Sequence, residues 1–133
     1  MDTQANIKAF LAGSPFAVVG ASTNREKYGN KVLRCYQQNN REVHPINPRA
    51  EEVEGLRCYP SLTDLPVPVH GVSVITPPKI TLEVVEEAAR LGIRHLWMQP
   101  GAESPEAIAK GEELGLSLVA DGSCLLVVLG YKE

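Results

Sequence analysis

The stretch "FAVVGASTNREKYGN", Phe16 to Asn30, decides how the chain folds. Its first four residues are apolar without alternation and run straight into Gly20, the pattern of a short strand covered on both faces. Beyond the polar loop, Val32, Leu33, Cys35 and Tyr36 recur at helical spacing with Lys31, Arg34 and Gln37 between them, which predicts a helix ending near Asn39 and Asn40. A strand, a glycine turn and a helix in that order form one unit of a parallel sheet. The helix N-terminus then aims free N–H groups and a partial positive charge at whatever the loop holds.

Working outward, the same alternation repeats. Before the strand, Ala5, Ile7, Ala9, Phe10 and Leu11 predict a helix over Thr3–Ala12, with Thr3 as N-cap and Gly13 as its stop. After the loop helix come "EVHPIN", a strand carrying a proline, "GLRCY", a short extended piece, and "SLTDLP", where Ser61 and Asp64 mark a short helical turn. "GVSVI" reads as the next strand and "PPKITLEVVEEAARLG" as a helix, with Pro78 in its first turn. Leu82, Val85, Ala89 and Ile80 are read as facing the sheet, and Gly92 as the stop. "HLWMQ" is a further strand, "SPEAIAKGEELG" a helix capped by Ser104 with Pro105 at its first position, and "LSLVA" another strand. Strands alternating with helices predict a single α/β domain over residues 1–133. Its sheet is doubly wound and parallel, of about five strands, with helices on both faces and the first strand placed centrally.

Composition bounds the function. At 133 residues, with 44% hydrophobic and 22% charged, the chain has an ordinary globular makeup. A net charge of -3 argues against a nucleic-acid binder. Residues 1–66 hold 8 Lys+Arg against 7 Asp+Glu and residues 67–133 hold 5 against 9, so the N-terminal half is the better place for an anion site. Cys35, Cys58 and Cys124 form no CxxC or Cys/His metal pattern and read as free, mostly buried thiols in a reducing compartment. "MDTQANIKAFLAGS" lacks the form of a signal peptide and "CLLVVLGY" is too short to span a bilayer. A cytoplasmic protein is expected.

Doubly wound sheets bind ligands beyond the carboxyl ends of their strands, at the switch point where strand order reverses. That rule selects four segments: the loop from Gly20, "NPR" at Asn47–Arg49, "TPPK" at Thr76–Lys79 and "QPGAES" from Gln99. In the first, Gly20 permits a tight turn, Ser22 offers a hydroxyl, and Arg25 and Lys27 add cationic reach toward a phosphate. A dinucleotide fingerprint would need GxGxxG and an acidic residue about 20 positions on. Here the pattern is Gly20, Ala21, Ser22, and the second strand ends in Asn47, Pro48 and Arg49. An arginine there suits a ribose bearing an extra phosphate, since a guanidinium holds phosphate as a bidentate fork. Thr76, Pro77 and Pro78 form a rigid wall with few donors, fit for an apolar or adenine-like group. Trp97 and Met98, on opposite faces of their strand, belong to the core.

No catalytic pattern stands out. His44, His70 and His95 fall within or at the start of strands, which reads as structural, and no Ser/His/Asp order or metal-ligand spacing is present. Asp121 and Cys124 in "ADGSC" share the sheet edge of the other segments, and a reactive thiol there would need an electropositive setting.

"VVGAS", "VHPINPR", "EGLRCYPSLTDLP", "GVSVITPP", "EAARLGIRHLWMQPGAES" and "ADGSC" occur in the order and spacing of the small stand-alone CoA-binding proteins, and the chain resembles that family over about residues 5–125. The resemblance implies a Rossmann-like domain similar to the CoA-binding domain of the succinyl-CoA synthetase alpha subunit. It implies coenzyme A as the ligand, with Gly20, Ala21, Ser22 and Arg25 at the pyrophosphate. Asn47, Pro48 and Arg49 then lie near the adenosine 3'-phosphate, Thr76, Pro77 and Pro78 along the adenine or pantetheine, and Gln99 toward the thiol end. The expected function is binding of CoA or an acyl-CoA without catalytic apparatus, with no nucleic-acid or membrane partner and any protein partner left open. An NAD(P)-dependent oxidoreductase and a CoA-linked thiol role through Cys124 are the rival readings.

Overall fold

The computed structural model describes residues 2–133. Along the chain run α1 (Thr3–Leu11), β1 (Phe16–Val19), α2 (Tyr28–Gln38), β2 (Val43–Ile46), β3 (Glu52–Val53) and β4 (Leu56–Arg57). A 3-10 turn (Leu62–Asp64) leads to β5 (Gly71–Val74), α3 (Pro78–Arg90), β6 (His95–Met98), α4 (Pro105–Glu113), β7 (Ser117–Val119) and α5 (Leu125–Val128). Five strands form a parallel sheet in the order β2-β1-β5-β6-β7. This is a Rossmann-like, doubly wound α/β architecture whose strand order reverses between β1 and β5.

β1 is thus an interior strand but second from the edge, where the sequence reading placed it centrally. The reason lies in β2. Pro45 cannot donate to a ladder, and proline is tolerated on edge strands. On the outer side of β2 the chain at Tyr59 donates to the Pro45 carbonyl at 3.1 Å and accepts from Asn47 N at 2.9 Å. The β3–β4 hairpin sits beside that edge, and sequence reading saw only its second half as an extended piece.

Alternation along each strand feeds two cores. Ala17, Val19, Val72, Val74, Leu96, Met98 and Leu118 meet α3, α4 and Leu62, while Phe16, Val18, Trp97 and Val119 meet α1, α2 and α5. Trp97 and Met98 are buried on opposite faces, as their spacing predicts. α4 is capped by Ser104, whose hydroxyl accepts from Ala107 N at 3.1 Å. α1, however, is capped by Asp2 rather than Thr3: its carboxylate accepts from Ala5 N at 3.1 Å. α3 is rotated from the expected face. Thr81, Val84, Val85 and Ala88 are buried, Leu82 and Ala89 only half-buried, and Ile80 is exposed at the sheet's carboxyl edge. Thr81 can enter the core because its hydroxyl is bonded to that of Thr76 at 2.7 Å. Among the described residues no helix is long and apolar enough to cross a membrane.

Candidate functional site at the carboxyl ends of the strands

Gly20 ends β1 with φ +97°, and a Cβ there would collide with the carbonyl oxygen of Ile75 just past β5. Only glycine fits the turn. The Gly20 and Ala21 amides donate to Ile46 O at 3.2 and 3.3 Å, so the loop crosses from β1 onto the end of β2. There Asn47 Nδ2 donates to Ala21 O at 2.7 Å. Ser22 does not cap a helix; its hydroxyl accepts from Asn24 N at 3.0 Å. The N-cap position of α2 belongs to Lys27, with no side-chain cap and no acidic residue in the first turn. The first turn of α2 therefore carries no acidic side chain of its own to offset the positive pole that faces the loop.

These segments border a cleft of about 1070 Å³ over the switch point. Of the residues singled out from sequence, Gly20, Ala21, Ser22, Lys27, Asn47, Pro48, Thr76 and Pro77 line it. Tyr28, Gly29, Pro60 and Ser61 also line it, and α3 contributes Ile80 and the charged Glu83, Glu86, Glu87 and Arg90. A second cavity of about 690 Å³ shares Asn47, Pro48 and Pro60 with the first and extends along the β3–β4 hairpin.

Four expected residues are not in the lining. Arg25 is exposed, with its Nε 3.5 Å from Glu54 Oε2. Arg49 is exposed beyond Pro48, and its amide donates to Asn47 Oδ1 at 2.8 Å in a local turn. Pro78 is exposed at the first position of α3. Gln99 is fully buried beneath the cleft. Its Oε1 accepts from the Tyr28 hydroxyl at 3.1 Å and from Leu125 N at 3.0 Å, and its Nε2 donates to Ser73 Oγ at 3.5 Å. Ser73 pairs in turn with the Tyr36 hydroxyl at 2.7 Å, so a buried polar chain runs from the cleft into the core.

The Tyr28 hydroxyl also lies 2.6 Å from Cys124 Sγ. Burial, reinforced by the Cys124 contact, raises the Tyr28 phenol well above its ordinary range, so it remains protonated as a hydrogen-bond donor. Asp121 does not pair with Cys124. Its Oδ1 accepts from the Ser123 hydroxyl at 2.6 Å and amide at 3.0 Å, and these bonds hold its carboxyl below the usual range. All three cysteines are free, with Cys35 and Cys58 buried and Cys124 half-buried. The histidines lie away from the cleft: His70 and His95 stack at 4.3 Å where β5 and β6 begin, and His44 is within β2.

Tyr28, Gly29, Pro60 and Ser61 were not singled out as site residues. For Gly29 a signal existed. Glycine in the first turn of a helix after a glycine-ended strand marks close approach, and a Cβ on Gly29 would collide with Gly20 O. Pro60 and Ser61 reach the cleft only through the pairing of Tyr59 with β2, a contact that local sequence does not encode.

Comparison with known proteins bears on what such a cleft is for. The chain is 38% identical over 80 residues to ADP-forming acetate–CoA ligase II of Archaeoglobus fulgidus, a match covering 59% of this chain and 12% of the ligase. It therefore spans only a small fraction of that relative's length. The uncharacterized protein YneT of Bacillus subtilis is 28% identical over 120 residues, covering 90% of this chain and 89% of the relative. A solved hypothetical protein from Pyrococcus horikoshii OT3 superposes with TM-score 0.88 at 33% identity, covering 96% of this chain and 89% of that one. The profile of the family described as the CoA binding domain matches residues 14–130, and the protein belongs to that family.

Proposed function

We propose that the protein binds coenzyme A, free or acylated, in the cleft over the β1–β5 switch point. The observation that carries this reading is the convergence of the Gly20–Ser22 loop, the uncapped N-terminus of α2, Asn47–Pro48 and Thr76–Pro77 on one cavity of about 1070 Å³. That is the upper end of the volumes that bury small ligands, and it suits an elongated one. In this reading the pyrophosphate lies against the Gly20–Ser22 backbone and the first turn of α2, where free N–H groups and the helix dipole favour anions. Lys27 lines the same end. Asn47 and Pro48 form the rim, and Arg49, exposed next to Pro48, is the cation assigned to the 3'-phosphate. Thr76, Pro77 and Ile80 bound the apolar side, with Pro78 next to them at the first position of α3. Gln99 acts from below, holding the Tyr28 hydroxyl in the cleft wall.

Calorimetric titration with CoA, dephospho-CoA and NAD tests the reading. CoA is expected to bind tightest, with dephospho-CoA weaker by the loss of one charge-assisted phosphate contact, about tenfold. Equal or absent heats for all three ligands contradict it.

A further inference from the structure

Arg25 sits in the loop between Ser22 and Lys27, both of which line the cleft, yet its guanidinium is turned to Glu54. The same Glu54 Oε2 accepts from Asn30 Nδ2 at 3.0 Å. Asn30 is wholly buried and fully used. Its Nδ2 also donates to Ser22 O at 2.8 Å, and its Oδ1 accepts from Arg34 Nε at 2.7 Å. Arg34 Nη2 then donates to the Arg25 carbonyl oxygen at 2.8 Å. One amide thereby fixes the carboxylate of Glu54 relative to both ends of the Ser22–Arg25 segment.

Glu54 occupies an unfavourable position to do this. It has φ +49° and is followed by Gly55 at φ +79°, a two-residue hairpin turn for which Asn-Gly is the favoured pair. Backbone strain on a residue with a Cβ is retained where the surroundings over-determine it, and such positions cluster at ligand clamps. Glu54 meets Arg25 at Nε over a long 3.5 Å, and the arginine side chain is 64% exposed. A phosphate offers the guanidinium a shorter, bidentate contact.

We propose that Glu54 is a built-in competitor for Arg25: its carboxylate occupies the guanidinium that a ligand phosphate must win. The exchange sets specificity. A polyanionic pyrophosphate repays the loss of Glu54, whereas a monoanion does not, so the pair screens against weakly charged ligands. The inference rests on the reading of the cleft as a CoA site, but its test separates the two.

CoA and inorganic pyrophosphate are titrated into the wild type, Glu54→Gln, Arg25→Ala and the double variant at low salt. Glu54→Gln keeps an oxygen for Asn30 and removes only the charge. It is expected to tighten both probes about two- to fivefold, the worth of an exposed ion pair. Arg25→Ala weakens both, and Glu54→Gln then has no further effect. The gain disappears near 1 M salt, where charges are screened over about 3 Å. Tightening that persists in the Arg25→Ala background overturns the competition, as does a Glu54→Gln affinity that is unchanged or weaker while CoA still binds; in both cases the CoA reading survives. The expected pattern with pyrophosphate but no CoA binding keeps the competition and removes CoA as the ligand. Binding of neither probe to either the wild type or Glu54→Gln removes both.

Discussion

The first turn of α2 rests on the end of β1 so closely that a Cβ on Gly29 would collide with the carbonyl oxygen of Gly20. Backbone lies on both sides of the contact, so no side chain can yield. Gly29→Ala is expected to push α2 off the strand, lowering stability by about 1–3 kcal/mol as overpacking does and weakening CoA binding in parallel. A urea series reads the first effect as a lower midpoint at unchanged slope.

Gln99 supports the cleft from beneath, so its replacement should act on stability before binding. Gln99→Leu leaves the buried Leu125 N–H without its acceptor and frees the Tyr28 hydroxyl, at a cost of about 1–3 kcal/mol. Tyr28→Phe removes a hydroxyl while Gln99 keeps Leu125 N, and should cost only about 1 kcal/mol. Equal losses in the two variants by urea denaturation would show that Leu125 N does not depend on Gln99.

Much of the architecture is legible because continuous apolar runs such as "FAVVG" and "GVSVI" have the length and composition of buried parallel strands, with glycine or proline at their ends. The rule that ligands sit at strand carboxyl ends then finds Gly20–Ser22, Asn47–Pro48 and Thr76–Pro77 without knowledge of packing. What escapes is non-local. The partner of Arg25 is Glu54, 29 positions along the chain, brought near by a hairpin two residues wide on each side. The burial of Gln99 depends on α5, whose four residues are too few to show a helical period. The buried face of α3 is hidden from pattern because Thr81 counts as polar, although its hydroxyl is bonded to that of Thr76.

Alkaline pH should unfold the protein through its buried acids. Burial pushes the Cys35 thiol up to about 11, and the Tyr36 and Tyr28 phenols rise above their ordinary range for the same reason. The folded state therefore holds protons that the unfolded chain releases. The Cys35 contribution is complete below the ordinary thiol range and is lost as pH rises through about 11, on the order of 2 kcal/mol. Urea midpoints between pH 8 and 11 should fall, and Cys35→Ala, less stable at pH 8, should show a flatter slope.

Acid acts through the opposite sign at His95. Burial, then the neighbouring His70 and Arg94, hold its imidazole below the ordinary value of 6.5. The unfolded chain binds this proton first as pH falls, so stability is full above about 6.5 and declines below it until the folded-state value is passed. His95→Gln should flatten that limb of the stability profile. An unchanged limb would assign the acid loss to carboxylates instead.

CoA bound over the β1–β5 switch point would perturb the backbone amides that line that cleft. The most direct test is a nitrogen-15 labelled titration with CoA, followed amide by amide. The largest shifts are expected at Gly20, Ala21, Ser22, Tyr28, Gly29, Asn47 and Thr76, with His70 and His95 at the opposite end of the sheet unmoved. Shifts centred anywhere else, or none at millimolar CoA, would contradict it.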